Sequence, residues 1–297
     1  MIGLKRIVAI GTCVLGVSSG VAFGQAPTAE RAINQLTEHV YVYENSMFVV
    51  TDEGIILADG SCDNMEFLKS ELQTRFNQPV KYVTLSHDHQ GHICDTQVFA
   101  DTAVGVGHVN IREHIIREKR RAIVPQVLFE DQMEIVLGDV RVVLMYLGPT
   151  HSDNNIQVHV PAEGVLLAPD VARGRNILPD FRDTEIRNML KALRTLAYLP
   201  DVSIVLDGHG MIPMTQEEAF LPFHRYLQAV RDRVLERAAA GMSLEQIRQE
   251  VTMEDFSDYN LSPARVLTHV ETTYDYLWRN REPTVGGPQM PVRAPQD

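Results

Sequence analysis

A layered α/β domain carrying a helical extension is the fold class this sequence predicts, on three observations. Between His39 and Gly210, short apolar runs bounded by turn residues come in groups separated by single helical stretches. That order packs as sheets and helices in layers around a core. Beyond residue 214 the strand pattern stops and only helical spacing remains. Several of the predicted strands also end in a histidine or an aspartate, where a loop can carry the side chain into a shared cleft.

The elements follow in order. In "HVYVYE" Val40 and Val42 alternate with Tyr41 and Tyr43, as in a strand with two different faces. "SMFVVT" and "GIILAD" are continuous apolar runs, the mark of strands buried on both sides. "DNMEFLKSELQTRF" places Met65, Leu68, Leu72 and Phe76 on one helical face, with Asp63 and Glu66 as its expected capping pair. "KYVTLS" and "TAVGVG" read as strands, and Arg112 to Arg121 as a helical patch. "EIVLG", "VRVVLMYLG", "IQVHV" and "GVLLAPD" give four more strands, "TEIRNMLKALRTLAYL" a helix, and "SIVLDGHG" a last strand.

In the extension, Phe223, Leu227, Val230 and Val234 form a helical stripe ended by Gly241. Ser243 and Gln246 fit a capping box, and Ser262-Pro263 opens a further helix carrying Val266, Val270, Tyr274 and Leu277. These stripes are read as packing surfaces against the main domain. No internal repeat at solenoid spacing is present.

The chain has 297 residues, 44% hydrophobic and 22% charged, an ordinary globular balance. Residues 1–24 differ: Lys5 and Arg6, an apolar run, then Ala22-Phe23-Gly24 before Gln25. That is the layout of a secretory signal peptide, so a periplasmic or secreted location is expected. The expected organisation is a signal peptide over 1–24, a main domain over 25–214, a helical extension over 215–282 and a Pro/Gly-rich flexible tail over 283–297. Losing the leader moves the formal charge from −12 to about −14, since 25 basic residues then face 39 acidic ones. Such a surface repels phosphate backbones and anionic lipid, so neither nucleic acid nor, after cleavage, a membrane is an expected partner. Cys62 and Cys94 remain in the mature chain, open to three readings: a disulfide, two buried thiols or a thiolate ligand. Oligomeric state is not legible.

The chemistry concentrates in "TLSHDHQGHICD", where His87, His89 and His92 fall within six residues just after a predicted strand. Three further strand ends add His151 in "MYLGPTHSDN", Asp170 in "GVLLAPDVA" and His209 in "SIVLDGHGM". Imidazoles joined by one carboxylate suit zinc, or iron with open positions. "HDHQGH", "GPTH", "APD" and "DGHG", in this order, resemble the four stations of the metallo-β-lactamase superfamily over roughly residues 39–214. "GIILADG" upstream is similar to that family's strand ending in an acidic turn.

The resemblance implies an αββα metallo-β-lactamase-like sandwich with the metals at one edge between the sheets. It implies that His87, His89 and His151 form a first metal site, that His92 and His209 serve a second, and that Asp170 bridges them. It also implies metal-bound hydroxide as the nucleophile, acting on an ester, lactone, thioester or amide in a small-molecule substrate. Asp170 and Asp88 are the candidate catalytic carboxylates. Asp59 is read as holding loops beneath the site, and Asp153 as supporting His151. His39, His108, His114, His159, His224 and His269 match no station and are read as surface or internally satisfied histidines. No G-x-S-x-G elbow competes for the role of nucleophile.

One position departs from the family pattern. Gly91 stands where the family has an aspartate that binds the second metal. With one negative charge fewer, zinc is expected firmly in the first site and weakly in the second, unless Asp88 or water fills the gap. An intact first site beside a damaged second one also suits the single-iron, oxygen-dependent sulfur or persulfide chemistry of some family members. A metal-binding protein without catalysis is a third reading. Pocket walls are expected from the loops at 108–133 and 172–184 and from the C-terminal helices.

Overall fold

The computed structural model describes residues 32–280; the expected signal peptide, 1–24, and the expected tail, 283–297, lie outside them. Two sheets form the middle of the molecule. The first has seven strands in sequential order: β1 (Asn34–Gln35), β2 (Val40–Tyr43), β3 (Ser46–Thr51), β4 (Gly54–Ala58), β5 (Val80–Thr84), β6 (Val104–His108) and β7 (Val127–Phe129). The second has five: β8 (Gln132–Leu137), β9 (Val140–Tyr146), β10 (Ile156–Val160), β11 (Val165–Leu167) and β12 (Ile204–Leu206). The first sheet is antiparallel through β4 and parallel from β4 to β7. The second is antiparallel apart from the parallel β11–β12 pair.

Each parallel step needs a crossover, and helices supply most of them. Helix α1 (Met65–Phe76) links β4 to β5, the one-turn α2 (Gln90–Ile93) lies between β5 and β6, and α3 (Ile111–Glu118) joins β6 to β7. Helix α4 (Ile186–Ala197) joins β11 to β12. Then α5 (Gln216–Ala239), α6 (Leu244–Glu250) and α7 (Pro263–Asn280) complete the fold.

Strand periodicity explains the layers. In β3, Met47 and Val49 face the space between the sheets while Phe48 faces α1 and α3. In β9, Val142 and Leu144 face the same intersheet core, and Val143 and Met145 face the helices beyond the second sheet. Strands with both faces covered carry continuous apolar runs, which is why "GIILA" shows no alternation. The result is an αββα sandwich, and α5, α6 and α7 share one core with α4 on its outer face. Phe223, Leu227, Val230 and Val234 are fully buried in it.

Some boundaries differ from the sequence expectation. Helix α1 starts at Met65 after Asn64, which makes no side-chain cap; its amide is held by Glu44. Asp63 instead takes a left-handed φ of 64° and pairs with Arg121 at 3.1 Å. The last strand is only Ile204–Leu206, because "DGHG" turns away to present His209. Helix α4 is capped by the side chain of Glu185 on Asn188 N, and the capping box of Ser243 and Gln246 forms as read. Cys62 and Cys94 form a disulfide.

Candidate metal centre

The site lies where the ends of β4, β5, β11 and β12 and the loop after β9 meet. Two aspartates sit there in the left-handed region that Asp tolerates better than most residues, Asp59 at φ 61° and Asp170 at φ 59°. Asp59 follows β4 and is completely buried. Its Oδ1 accepts the backbone N–H of Ser86 at 2.7 Å, and its Oδ2 accepts the Ser86 hydroxyl at 2.7 Å. That hydroxyl has one proton and gives it to Asp59, so its oxygen accepts from Nδ1–H of His87 at 3.0 Å. The tautomer of His87 is thereby set, with the Nε2 lone pair turned to the centre. His87 is completely buried and its Nε2 makes no hydrogen bond.

Around that nitrogen the other donors converge. His87, His89, His151 and Asp170 each offer one atom within 4.8 Å of all the others, and so do His92, Asp170 and His209. Asp170 belongs to both groups. Its Oδ2 lies 3.4 Å from His87 Nε2, 3.1 Å from His92 Nε2 and 3.6 Å from His151 Nε2. Its Oδ1 lies 2.8 Å from His209 Nε2. His151 Nε2 and His89 Nδ1 are 3.0 Å apart, two ring nitrogens aimed at the same point. Gly208, at φ 73°, lets the last turn pass close: a Cβ there would lie 2.9 Å from Pro169 Cβ and 3.2 Å from His92 Cε1.

Burial sets the protonation of the cluster. Desolvation holds His87 well below the usual histidine range and lowers His151 to about 4, so both are neutral donors at neutral pH. Burial also disfavours the Asp170 carboxylate, but the hydrogen bond from His209 and the contact with His92 outweigh it and keep its pKa well below the usual range. For His92, burial alone would lower the pKa; the carboxylates of Asp170 and Asp59 overcome it and raise it to about 10. Neutral imidazoles, an ionised carboxylate and an orphaned buried Nε2 are a donor set that fits a divalent ion of the zinc type.

The sequence profile of the metallo-beta-lactamase superfamily matches residues 41–209, over half of the chain and all six of these donors. The chain belongs to the metallo-beta-lactamase superfamily. It is 25% identical over 219 residues to metallo-beta-lactamase type 2 of Bacillus sp. (strain 170), covering 62% of this chain and 78% of that one. A metallo-beta-lactamase structure from Pontibacter korlensis superposes with a TM-score of 0.59 at 18% identity, over 66% of this chain and 98% of its own. A stereoselective inverting sec-alkylsulfatase from Pseudomonas sp. superposes with a TM-score of 0.66 at 13% identity, over 82% of this chain and 50% of its own. These two likenesses show the fold.

All six histidine and aspartate positions at the superfamily's stations are brought together, but Asp88 is not among them. It lies in the bend after β5, and its side chain points to Asn154. There its Oδ1 accepts from Asn154 Nδ2 at 2.8 Å, and its backbone N–H donates to Asn154 Oδ1 at 2.9 Å. Its Oδ2 is 3.8 Å from Arg120. Asp88 forms a separate group with His114 and Glu118, in which Arg120 also pairs with Glu118. Asp153 faces His114 at 3.1 Å rather than a residue of the centre. Two of the unmatched histidines are satisfied internally: His159 Nε2 donates to the Asp201 carbonyl, and His269 lies between the Tyr226 hydroxyl and the Leu178 carbonyl.

Gly91 sits on α2 without a positive φ, and a Cβ added to it would meet nothing within 4 Å. No steric demand therefore requires glycine there.

Two contributors had no signal in the sequence reading. Asn155, buried, ties Pro169 O to the loop of His151 through its amide at 3.2 Å. Arg173, three residues after Asp170, reaches within 3.7 Å of Asp170 Oδ1. The centre opens on the side of His209, whose side chain is 39% exposed. A cleft of about 1040 Å³ begins there, walled by Arg173, Arg175, Ile212, Met214, Leu221 and Arg225 among others. The expected contribution of 172–184 and of the C-terminal helices is present in this cleft; residues 108–133 do not line it.

Proposed function

We propose that this chain is an exported, zinc-dependent hydrolase acting on an ester, lactone, thioester or amide bond of a small-molecule substrate. The observation that carries the reading is the convergence of His87, His89, His151 and Asp170, with His87 and His151 kept neutral and Asp170 kept charged. A divalent ion held by His87, His89, His151 and Asp170 would lower the pKa of its water to about 7 and polarise the bond under attack.

The chain's own groups supply the rest. Asp170, with both oxygens directed into the centre, accepts a hydrogen bond from the attacking water and orients it. His209 Nε2, 2.8 Å from Asp170 Oδ1 at the mouth of the cleft, can take up the proton that the attacking water gives to Asp170 and pass it to the leaving group. Met214, Leu221 and Ile212 give the cleft apolar walls, and Arg173, Arg175 and Arg225 give it positive charge. Asp88 holds the His87–His89 loop to Asn154. The leader-like 1–24 segment and the Cys62–Cys94 bridge support export to an oxidising compartment.

His87→Ala and His151→Ala are expected to lose zinc and all turnover on a panel of ester, lactone, thioester and amide substrates. Retained zinc with full turnover in either variant overturns the reading. Gly91 supports one alternative, a mononuclear iron centre in an oxygen-dependent oxidoreductase acting on sulfur or persulfide substrates. Iron as the metal in protein purified without added metal, together with oxygen consumption on a persulfide, would select it.

A further inference from the structure

The two oxygens of Asp170 serve different neighbours. Oδ2 faces His87, His92 and His151, whereas Oδ1 faces His209 and, at 3.7 Å, Nη1 of Arg173. The Arg173 side chain is only 8% exposed, and its Nη1 is buried without a hydrogen-bond partner. Its Nε donates to the Asn176 carbonyl at 3.0 Å, which anchors the guanidinium by its root and leaves the far end beside the centre. A buried guanidinium cannot shed its charge, so a nearby negative charge must offset its desolvation. Asp170 is the carboxylate in position to do so.

We propose that Arg173 takes the electrostatic place of a second divalent ion, so that the centre is built for one metal and one guanidinium. The inference rests on the reading that His87, His89, His151 and Asp170 hold a metal. It explains two features together. Gly91 withholds the carboxylate that would help to neutralise a second ion, although a side chain there has open space. The second donor group, His92, Asp170 and His209, then contains one carboxylate, which is shared with the first. A fixed positive charge beside that carboxylate, in a weakly screened setting, opposes a dication bound by these three residues. Arg173 instead supplies one positive charge to the side of Asp170 that faces the cleft.

The test is zinc binding, measured on the metal-free protein by equilibrium dialysis against buffered zinc, with elemental analysis of zinc per chain. Arg173→Met keeps length and removes charge; Arg173→Lys keeps the charge; Gly91→Asp restores the carboxylate. The unaltered protein is expected to bind one zinc tightly. Arg173→Met is expected to tighten the second zinc by about tenfold or more without changing the first, and Arg173→Lys to leave it weak. The double variant Gly91→Asp/Arg173→Met is expected to hold two. Thermal melts monitored by circular dichroism identify any variant that fails to fold, and Arg173→Gln, which also removes the charge, replaces the methionine variant if that one does. Equal second-site affinity in the methionine, lysine and unaltered proteins overturns the role of Arg173 while leaving the metal centre intact. Two tight zincs in the unaltered protein overturn it as well. No tight zinc in the unaltered protein overturns the metal centre and this inference with it.

Discussion

Asp59 grips Ser86 twice, through the backbone N–H and through the hydroxyl, each at 2.7 Å. The grip determines which nitrogen of His87 is free. In Asp59→Asn, the amide oxygen must still accept the Ser86 N–H, which turns the amide NH₂ toward the hydroxyl. Ser86 then accepts from the amide and donates to His87 Nδ1, so the proton of His87 moves to Nε2, the nitrogen aimed at the centre. Asp59→Asn is therefore expected to lower metal affinity by about 10–100-fold, the usual effect of losing a group that orients a ligand. Ser86→Ala, which frees the tautomer without inverting it, should lower it less. Zinc competition with a chelating dye measures both; equal affinity in Asp59→Asn and the unaltered protein would contradict this account of the tautomer.

Cys62 and Cys94 join the loop after β4 to the residues just past α2, with a sequence separation of 32. The bridge fastens together the segments that carry Asp59 and His92. Closing a loop of that length limits the unfolded chain by about 3–4 kcal/mol. A Cys62→Ser/Cys94→Ser variant, or the reduced protein, is expected to lose stability of that order in urea unfolding, and to bind zinc more weakly as the Asp59–His92 contact loosens. Unchanged unfolding midpoints under oxidising and reducing conditions would count against the bridge.

The sandwich was legible because both of its periods are strong: alternating strands that feed two cores, and helical stripes such as Phe223 to Val234. The metal ligands were legible because each stands at a strand end in a spaced motif. Asp88 was legible as a residue but not as a direction, since strand alternation had to be continued into a loop whose partner, Asn154, is 66 residues away. Arg173 left no trace because its meaning depends on burial. An arginine followed by Gly174 and Arg175 reads as a solvated turn until the fold covers it. The Asp63 cap failed for a related reason: Arg121, far along the chain, competes for its carboxylate.

The buried histidines pull stability in opposite directions with pH, and the metal-free protein should show both. An unfolded histidine titrates near about 6.5. His151 is lowered to about 4, so between these values the unfolded chain binds more protons than the native one. Its contribution is present above pH 6.5 and is lost as pH falls toward 4, on the order of 3 kcal/mol in full. His87, also lowered, acts in the same sense. His92 is raised to about 10, so here the native state binds the extra proton. Its contribution is complete below pH 6.5 and disappears as pH rises toward 10. Urea unfolding of chelator-treated protein should therefore be most resistant near pH 6–7 and weaken on both sides. In His92→Gln the alkaline weakening should shrink, because the proton held between Asp59 and Asp170 is gone. An alkaline limb that is flat in the unaltered protein, or just as steep in His92→Gln, would show that His92 is not the protonated link between the two carboxylates.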